Sequence, residues 1–337
     1  MRRTGILVAA ALVATLAVPI VLGGRDAFRD ALQLPVQDYL VLLAVIAVSW
    51  FARAVKIYWL LHRLNVGAGY WHVFLISLAT DFGFISTPGG VGGYAAGIFY
   101  VRRAGATTSG AATVTAADQL LDWAFFATAL PIAGLGLLHA DMPAALAWLA
   151  FTTSALMIGF ALIALIARRK VVQWLCDENA ISRRWPRLRK RQHLLREFFI
   201  SLRDHSSVLL NGGPLFLLGM LVLSALQWFS RYGVLWVALV LLGHSVPFAL
   251  TLLLQALVLH AAMWTGMPSG GGGAEIGLSA ALAAWVPATS IATALLLWRV
   301  ATMYLCLAAG AIAIALLARL HAPAATADAN EPVEGAL

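Results

Sequence analysis

Charge is scarce in this chain of 337 residues, where Asp, Glu, Lys and Arg make up 11% against roughly 25% in an ordinary soluble domain. With 61% of the residues hydrophobic, a water-soluble fold of this length is excluded. Cysteine is almost absent. Cys176 falls in a basic stretch and Cys306 in an apolar run, so there is neither a paired-cysteine framework nor a CxxC metal spacing. Catalytic signatures are missing too: no G-x-S-x-G, HExxH or Ser/Lys arrangement occurs, and no enzymatic activity is expected. His62, His72, His139, His244 and His260 show no metal-ligand spacing, so neither a metal nor a cofactor is expected. The net charge is +8. The Lys and Arg residues sit between apolar runs without the aromatic interleaving of a strand-binding groove, which argues against nucleic acid.

What is present is a series of apolar runs that approach or reach the roughly 20 residues needed to cross a bilayer. The expected fold is an all-α integral membrane protein with about six spanning helices. They cover about Thr4–Leu22, Asp38–Leu61, Gly110–Leu138, Ala144–Ala167, Pro214–Leu242 and Ala288–Leu320. Arg2 and Arg3 precede the first run, but no A-x-A-like cleavage site follows, so a retained helix is expected. A short loop, Gly23 to Gln37, joins it to the second.

Two further stretches cannot be straight spans. Tyr70 to Tyr100 is interrupted by Thr87-Pro88-Gly89-Gly90-Val91-Gly92-Gly93, and Pro247 to Trp285 by Pro268-Ser269-Gly270-Gly271-Gly272-Gly273. Proline and clustered glycine break helices, so each is expected to be a re-entrant hairpin of two half-helices. Between about 168 and 213 lies a basic segment holding Arg168-Arg169-Lys170, Arg183-Arg184 and Arg187-x-Arg189-Lys190-Arg191. Its Trp174, Leu175, Trp185, Leu194, Leu195, Phe198 and Phe199 fit a helix on an anionic membrane surface; a solvated loop fits equally. The Ala/Pro-rich tail after 320 is expected to be disordered.

The chain repeats itself. Trp50-Phe51-Ala52-Arg53 returns 178 residues later as Trp228-Phe229-Ser230-Arg231. The pattern Pro88-x-Gly90-x-Gly92-Gly93-x-x-x-Gly97 returns 180 residues later as Pro268-x-Gly270-x-Gly272-Gly273-x-x-x-Gly277. If the N-terminus is cytoplasmic, Arg63, Arg102, Arg103, Arg319 and the basic segment all fall on that side, and Arg53 and Arg231 then lie on helices of opposite direction. The expected organisation is an inverted repeat, 38–138 and 214–320. Residues 1–37 precede it, 139–213 link the halves and 321–337 follow. Many secondary transporters are built this way, with the substrate site where broken helices meet.

Arg53, Arg231 and Arg299, with Asp118, Asp122 and Glu275, lie inside apolar runs. A charge at that depth costs at least about 2.5 kcal/mol unless paired or wetted, so all six should face the protein interior. Arginines that recognise an anion, with acids as counter-ions or proton carriers, are one reading; buried ion pairs that fix helix packing are the other. Arg53 can also snorkel toward the interface with Lys56. Asp118 and Asp122, four apart, share one helix face, and the repeat could bring Asp118 and Arg299 together at the centre. After each break, the N–H groups that open the following half-helix could hold an anion. The candidate substrate-binding set is therefore Arg53, Pro88, Gly90, Gly92, Gly93, Asp118, Asp122, Arg231, Pro268, Gly270, Gly272, Gly273, Glu275 and Arg299.

Several of these motifs together resemble the transmembrane region of lysylphosphatidylglycerol synthases and its stand-alone flippase-like relatives, over about 38 to 318. The matching residues are Arg53 with Trp59-Leu60-Leu61, Pro88-Gly89-Gly90-Val91-Gly92-Gly93, Asp118-Gln119-Leu120-Leu121-Asp122, Pro268-Ser269-Gly270-Gly271-Gly272-Gly273-Ala274-Glu275, and Arg299. Where that family has an acidic residue after the first glycine pair and an arginine three residues on, this chain has Tyr94 and Gly97. The family's glutamate-arginine pair is Asp118-Gln119 here. The resemblance implies movement of an anionic or phosphate-bearing lipid between leaflets of the cell membrane. The alternative is a non-catalytic membrane partner of a glycosyltransferase or lipid-modifying enzyme. Aminoacyl transfer is not implied, because no soluble synthase domain is present in this sequence.

Overall fold

The computed structural model describes residues 2–176, 192–263 and 265–320, which are helical almost throughout, with no strand among them. The helices are α1 (Arg2–Gln33), α2 (Val36–Arg63), α3 (Tyr70–Ser86), α4 (Val91–Arg103), α5 (Thr108–His139) and α6 (Ala144–Cys176) in the first part. They are followed by α7 (Gln192–Leu210), α8 (Pro214–Leu241), α9 (Phe248–Met263), α10 (Gly273–Leu282), α11 (Ala288–Arg299) and α12 (Leu305–Leu320). Among the described residues five stretches are long and apolar enough to cross a membrane: α2, α5, Ala144–Ile163 of α6, α8, and α11 joined to α12. The sixth expected span, Thr4–Leu22, falls in α1, which packs along α11. The side chains at its N-terminal end lie outside the described residues.

The expected loop Gly23–Gln37 is helical over most of its length, and the described parts of the basic segment are largely helical as well. The segment after Leu22 turns at Gly24, whose φ is +60°, and then continues as helix to Gln33. Ala27 and Ala31, four residues apart, are buried there, and the Ala27 carbonyl accepts from Thr293 of α11, so packing rather than intrinsic propensity holds the segment helical. In the basic region α6 runs on to Cys176, carrying Arg168-Arg169-Lys170 with it. α7 docks on the start of α5, where Ser201 and Ser109 share a hydrogen bond of 2.7 Å. Leu209 of α7 is buried in an apolar cluster with Val73, Ala111 and Met220. Residues 177–191, with Arg183 to Arg191, and the tail 321–337 lie outside the described residues.

Each broken stretch is a hairpin. Gly83 on α3 faces Gly92 and Gly93 so closely that a Cβ on it would stand 2.6 Å from the Gly92 carbonyl. Ala262 on α9 meets Gly270 and Gly273 in the same way, and Val258 meets Gly277. The turns need left-handed backbone, with φ of +61° at Gly89 and +71° at Gly90, then +53° at Ser269 and +64° at Gly270. The hairpin arms have 17, 13, 16 and 10 residues, and at 1.5 Å per residue none reaches across about 30 Å of hydrocarbon. The two turns, Pro88–Gly90 and Pro268–Gly270, touch one another.

The halves run in opposite directions. α2 and α8, which carry the two Trp-Phe-x-Arg copies, lie side by side and antiparallel. Val45 is nearest Gly233, Lys56 donates to Ser224 Oγ at 3.1 Å, and Trp59 is nearest Gly219. α9 lies antiparallel to α5, Ala249 near Gly136 and His260 near Phe126. The equivalent pair in the other half is α3 with α12, where Gly310 rests on Leu78 and Phe82. An all-α membrane fold with an inverted repeat and two re-entrant hairpins therefore describes the chain, and the hairpin tips converge between the halves.

Candidate functional site

The tips enclose one side of a cavity of about 300 Å³, lined by Gly89 and Gly90 from the first break and Ser269 from the second. Its other walls come from α5, α8, α9 and α11. Among the lining charges are Arg53, Asp81, Asp122, Arg231 and Arg299. Exposed Tyr94 and Trp123 stand at its rim, and the Tyr94 hydroxyl donates to Gln119 Oε1 at 3.4 Å.

Two ion clusters border the cavity. In the first, Arg53 binds Asp81 and also Asp118, the latter at 3.0 Å. Lys56 binds Asp118 at 2.7 Å and Asp122 at 2.6 Å, and Arg231 binds the remaining Asp81 oxygen at 3.1 Å. Three cations thus meet three carboxylates, and the cluster is formally neutral. Burial of such charges is tolerable only with this degree of pairing. Lys56 is fully buried. It is not a snorkelling residue but the bridge between two aspartates one helical turn apart. Asp81 is an ionic link between the halves, since Arg53 comes from the first repeat and Arg231 from the second.

The second cluster lies within the second repeat. Arg299 Nε binds Glu275, and its Nη1 donates to the carbonyl and hydroxyl of Ser269, each at 3.3 Å. The guanidinium also sits 4.4 Å from the Trp298 ring, a cation–π contact. One turn of π-helix, Val300–Tyr304, follows it immediately, an irregularity that recurs at functional sites. Arg299 is therefore paired with Glu275 and not with Asp118, which Arg53 and Lys56 already neutralise. The reason is positional: at the 180-residue spacing of the glycine breaks, Arg299 is the counterpart of Gln119.

The backbone donors at the breaks are largely committed. Gly92 N–H donates to Thr87 Oγ1 and Gly272 N–H to Glu275 Oε2, both at 2.8 Å. Those of Gly90, Gly270 and Gly271 each donate to the carbonyl three residues before them. Pro88, Gly90, Pro268 and Gly270 thus shape the turns, and Gly92, Gly93, Gly272 and Gly273 the starts of the half-helices that follow; of these eight Gly90 alone lines the cavity, and Asp118 and Glu275 stand behind its wall as partners of lining arginines. At each break, therefore, one of the N–H groups expected to hold an anion is taken by a side chain of the protein itself. Lys56 and Asp81 were not among the expected site residues. Asp81 sits in an otherwise apolar half-helix, and Lys56 stands three residues after Arg53 on the same face; either position carried the signal.

Two positions of the Trp-Phe-x-Arg motif differ sharply between its copies. Trp50 Nε1 donates to Cys306 Sγ at 3.4 Å, whereas Trp228 Nε1 has no partner among the described residues. Arg53 touches two carboxylates, whereas Arg231 touches one oxygen of a carboxylate it shares and is the more exposed of the two. No curated protein matches this chain. Residues 4–310 match the family described as the Lysylphosphatidylglycerol synthase TM region, nearly the whole length over which the hairpins, the two ion clusters and the cavity between them are built, and the chain belongs to that family.

Proposed function

We propose that the protein is a lipid translocase that moves an anionic or phosphate-bearing amphiphile between the leaflets of the cell membrane, with its N-terminus cytoplasmic. The supporting observation is that two inverted hairpins meet at one cavity, and that cavity holds a guanidinium, Arg231, with little commitment to the protein. An amphiphile crosses a bilayer only if its headgroup is shielded from hydrocarbon while its tails stay in it. A polar pocket walled by two oppositely oriented half-sets of helices supplies that shield, and inverted repeats of this kind rock between two faces around a fixed site.

The roles follow from the distances. Arg231 is the first contact for a phosphate, because an incoming anion need only replace Asp81 Oδ2. Arg299 lines the same cavity, with Ser269 as a switchable neutral acceptor. Asp81, released from Arg231, stays neutralised by Arg53. Asp118, Asp122 and Lys56 hold α2, α5 and α8 in register. Arg and phosphate form charge-assisted, often bidentate hydrogen bonds.

Leaflet exchange in reconstituted vesicles tests the reading. Wild-type protein is expected to exchange at least one phospholipid or polyprenyl phosphate well above protein-free vesicles. R231Q with R299Q, folded as judged by thermal unfolding in detergent, is expected to fall to that background. No exchange of any candidate lipid by the wild type, or full exchange by the double variant, overturns it.

A further inference from the structure

We infer that the cavity takes up an anion only together with a proton, carried by Asp122, so that the protein is a proton–anion symporter. The inference rests on the translocase reading above and names the coupling ion of that same site.

Two counts at the cavity disagree. Hydrogen-bond donors are in excess: Arg53 Nε, Arg299 Nη2 and Trp228 Nε1 have no hydrogen-bond partner among the described residues, against one unpaired acceptor on the same walls, Gln227 Oε1. Buried donors without acceptors are costly, and the oxygens of an anion would supply acceptors. Charge, by contrast, is already balanced. Arg53, Lys56, Arg231 and Arg299 are paired with Asp81, Asp118, Asp122 and Glu275, four against four. An anion therefore finds donors but no spare positive charge. Its arrival alone would leave a net buried negative charge, which an apolar interior does not tolerate.

One added proton restores the balance, and the pairing selects where it goes. With the anion on Arg231, Asp81 keeps Arg53 and Asp118 keeps Lys56. Asp122 is then the carboxylate left over. Its Oδ1 only shares Lys56 with Asp118, at 2.6 Å, and accepts from Ser224 Oγ at 3.3 Å. Asp122 lines the cavity and Asp118 does not, so a proton arriving through the cavity reaches Asp122 directly. Protonated, its carbonyl oxygen still accepts from Lys56, and α2, α5 and α8 stay joined. The charged and titratable groups around it are Arg53 and Lys56 on α2, Tyr94 on α4, Asp118 on α5 and Tyr232 on α8. Asp81 of α3, Arg231 of α8, His260 of α9 and Arg299 of α11 share the cavity walls; α6 brings none along Ala144–Ile163. His260 is exposed, so solvent rather than the bound anion governs its charge.

Dimethyl phosphate, whose single negative charge does not titrate across the neutral range, is the probe. Titration calorimetry of the purified full chain in detergent, in buffers of different ionisation enthalpy, counts protons. Because the anion-bound protein holds one more proton than the free protein, uptake of about one proton per anion is expected, and the affinity should fall by up to about tenfold for each unit rise in pH. The infrared difference spectrum on binding should gain the carbonyl band of a protonated carboxyl group. Asp122→Asn should bind without proton uptake and without pH dependence, whereas Asp122→Glu and His260→Gln should keep the uptake. The wild-type proton count and infrared band need no variant and decide the coupling even if Asp122→Asn does not fold. Binding without proton uptake, a requirement for sodium in place of the proton, or uptake that persists in Asp122→Asn overturns the inference. So does failure of dimethyl phosphate to bind.

A second arm separates a lipid from a free anion and this inference from the translocase reading. In vesicles containing the protein, acyl-labelled phosphatidylmethanol, which carries the same fixed charge, should gather in the inner leaflet when the interior is made alkaline. The shift should exceed that in protein-free vesicles, and a sodium gradient should not produce it. If dimethyl phosphate binds with a proton and no lipid moves, the coupling stands and the translocase reading falls. If the lipid moves to a distribution indifferent to the pH gradient, translocation stands and the coupling falls.

Discussion

The two copies of Trp-Phe-x-Arg began as one sequence on two antiparallel helices and now do different work. In the first, on α2, Trp50 is tied to Cys306 and Arg53 to two aspartates, with Lys56 adding a second bridge beneath them. In the second, on α8, Trp228 keeps a free N–H, Gln227 a free carbonyl, and Arg231 a single shared contact. The lesson is that a duplicated motif can be read by its hydrogen-bond accounts. The copy whose tryptophan N–H is taken by the chain and whose arginine binds two carboxylates holds the structure, and the copy with a free tryptophan N–H and a single shared carboxylate contact beside the cavity is the one available to a ligand.

The largest effect that would break this comparison lies in the first half. Lys56→Met removes one partner of a fully buried network and leaves Asp122 with only Ser224. Loss of one partner of a buried pair costs about 3–5 kcal/mol, so thermal unfolding in detergent should show a collapse of the folded fraction. Arg231→Gln should cost clearly less, because Asp81 stays neutralised by Arg53 when Arg231 is removed. Equal destabilisation of the two variants would mean that the halves are not specialised.

A smaller, steric difference separates the hairpin tips. A Cβ at Gly93 would sit 2.2 Å from the Phe84 ring, whereas at the equivalent Gly273 the nearest atom is Thr265 Cγ2 at 3.5 Å. Gly93→Ala should therefore cost about 1–3 kcal/mol as overpacking, and Gly273→Ala should be close to neutral, both measurable as shifts in the thermal midpoint. The smallest effect is expected at Ser269. Replacing it by Gly relaxes a left-handed backbone but removes the hydroxyl that accepts from Arg299, and the two terms should cancel to within about 1 kcal/mol.

Much of the architecture was legible because membrane proteins advertise their spans and breaks. Apolar length marked the crossing helices, and proline with clustered glycine marked the hairpin tips. The paired spacings of the arginine motif and the glycine breaks exposed the repeat. What escaped was whatever depended on partner choice. Arg299 could not be assigned to Glu275 over Asp118 without knowing that Arg53 and Lys56 already occupy Asp118. Asp81 hid in a half-helix that reads as uniformly apolar, and the caps by Thr87 and Glu275 close N–H groups that glycine spacing alone leaves open. Gln227 carries no charge and Trp228 shows in the sequence only as a member of the repeated motif; their lack of partners on the cavity wall shows only in three dimensions.

If two oppositely directed hairpins bring their tips together within the membrane, residues at the two tips must be near neighbours. Gly90 lies against Met263 of the other hairpin, where a Cβ on the glycine would be 3.4 Å from the methionine methyl. With Cys176 and Cys306 replaced by Ser, cysteines at 90 and 263 should be joined in high yield by a short bifunctional thiol reagent in native membranes, while cysteines at 65 and 263 should not. Failure of the 90–263 pair to cross-link, with both positions reacting freely with impermeant thiol reagents from opposite sides, would mean that the tips do not meet.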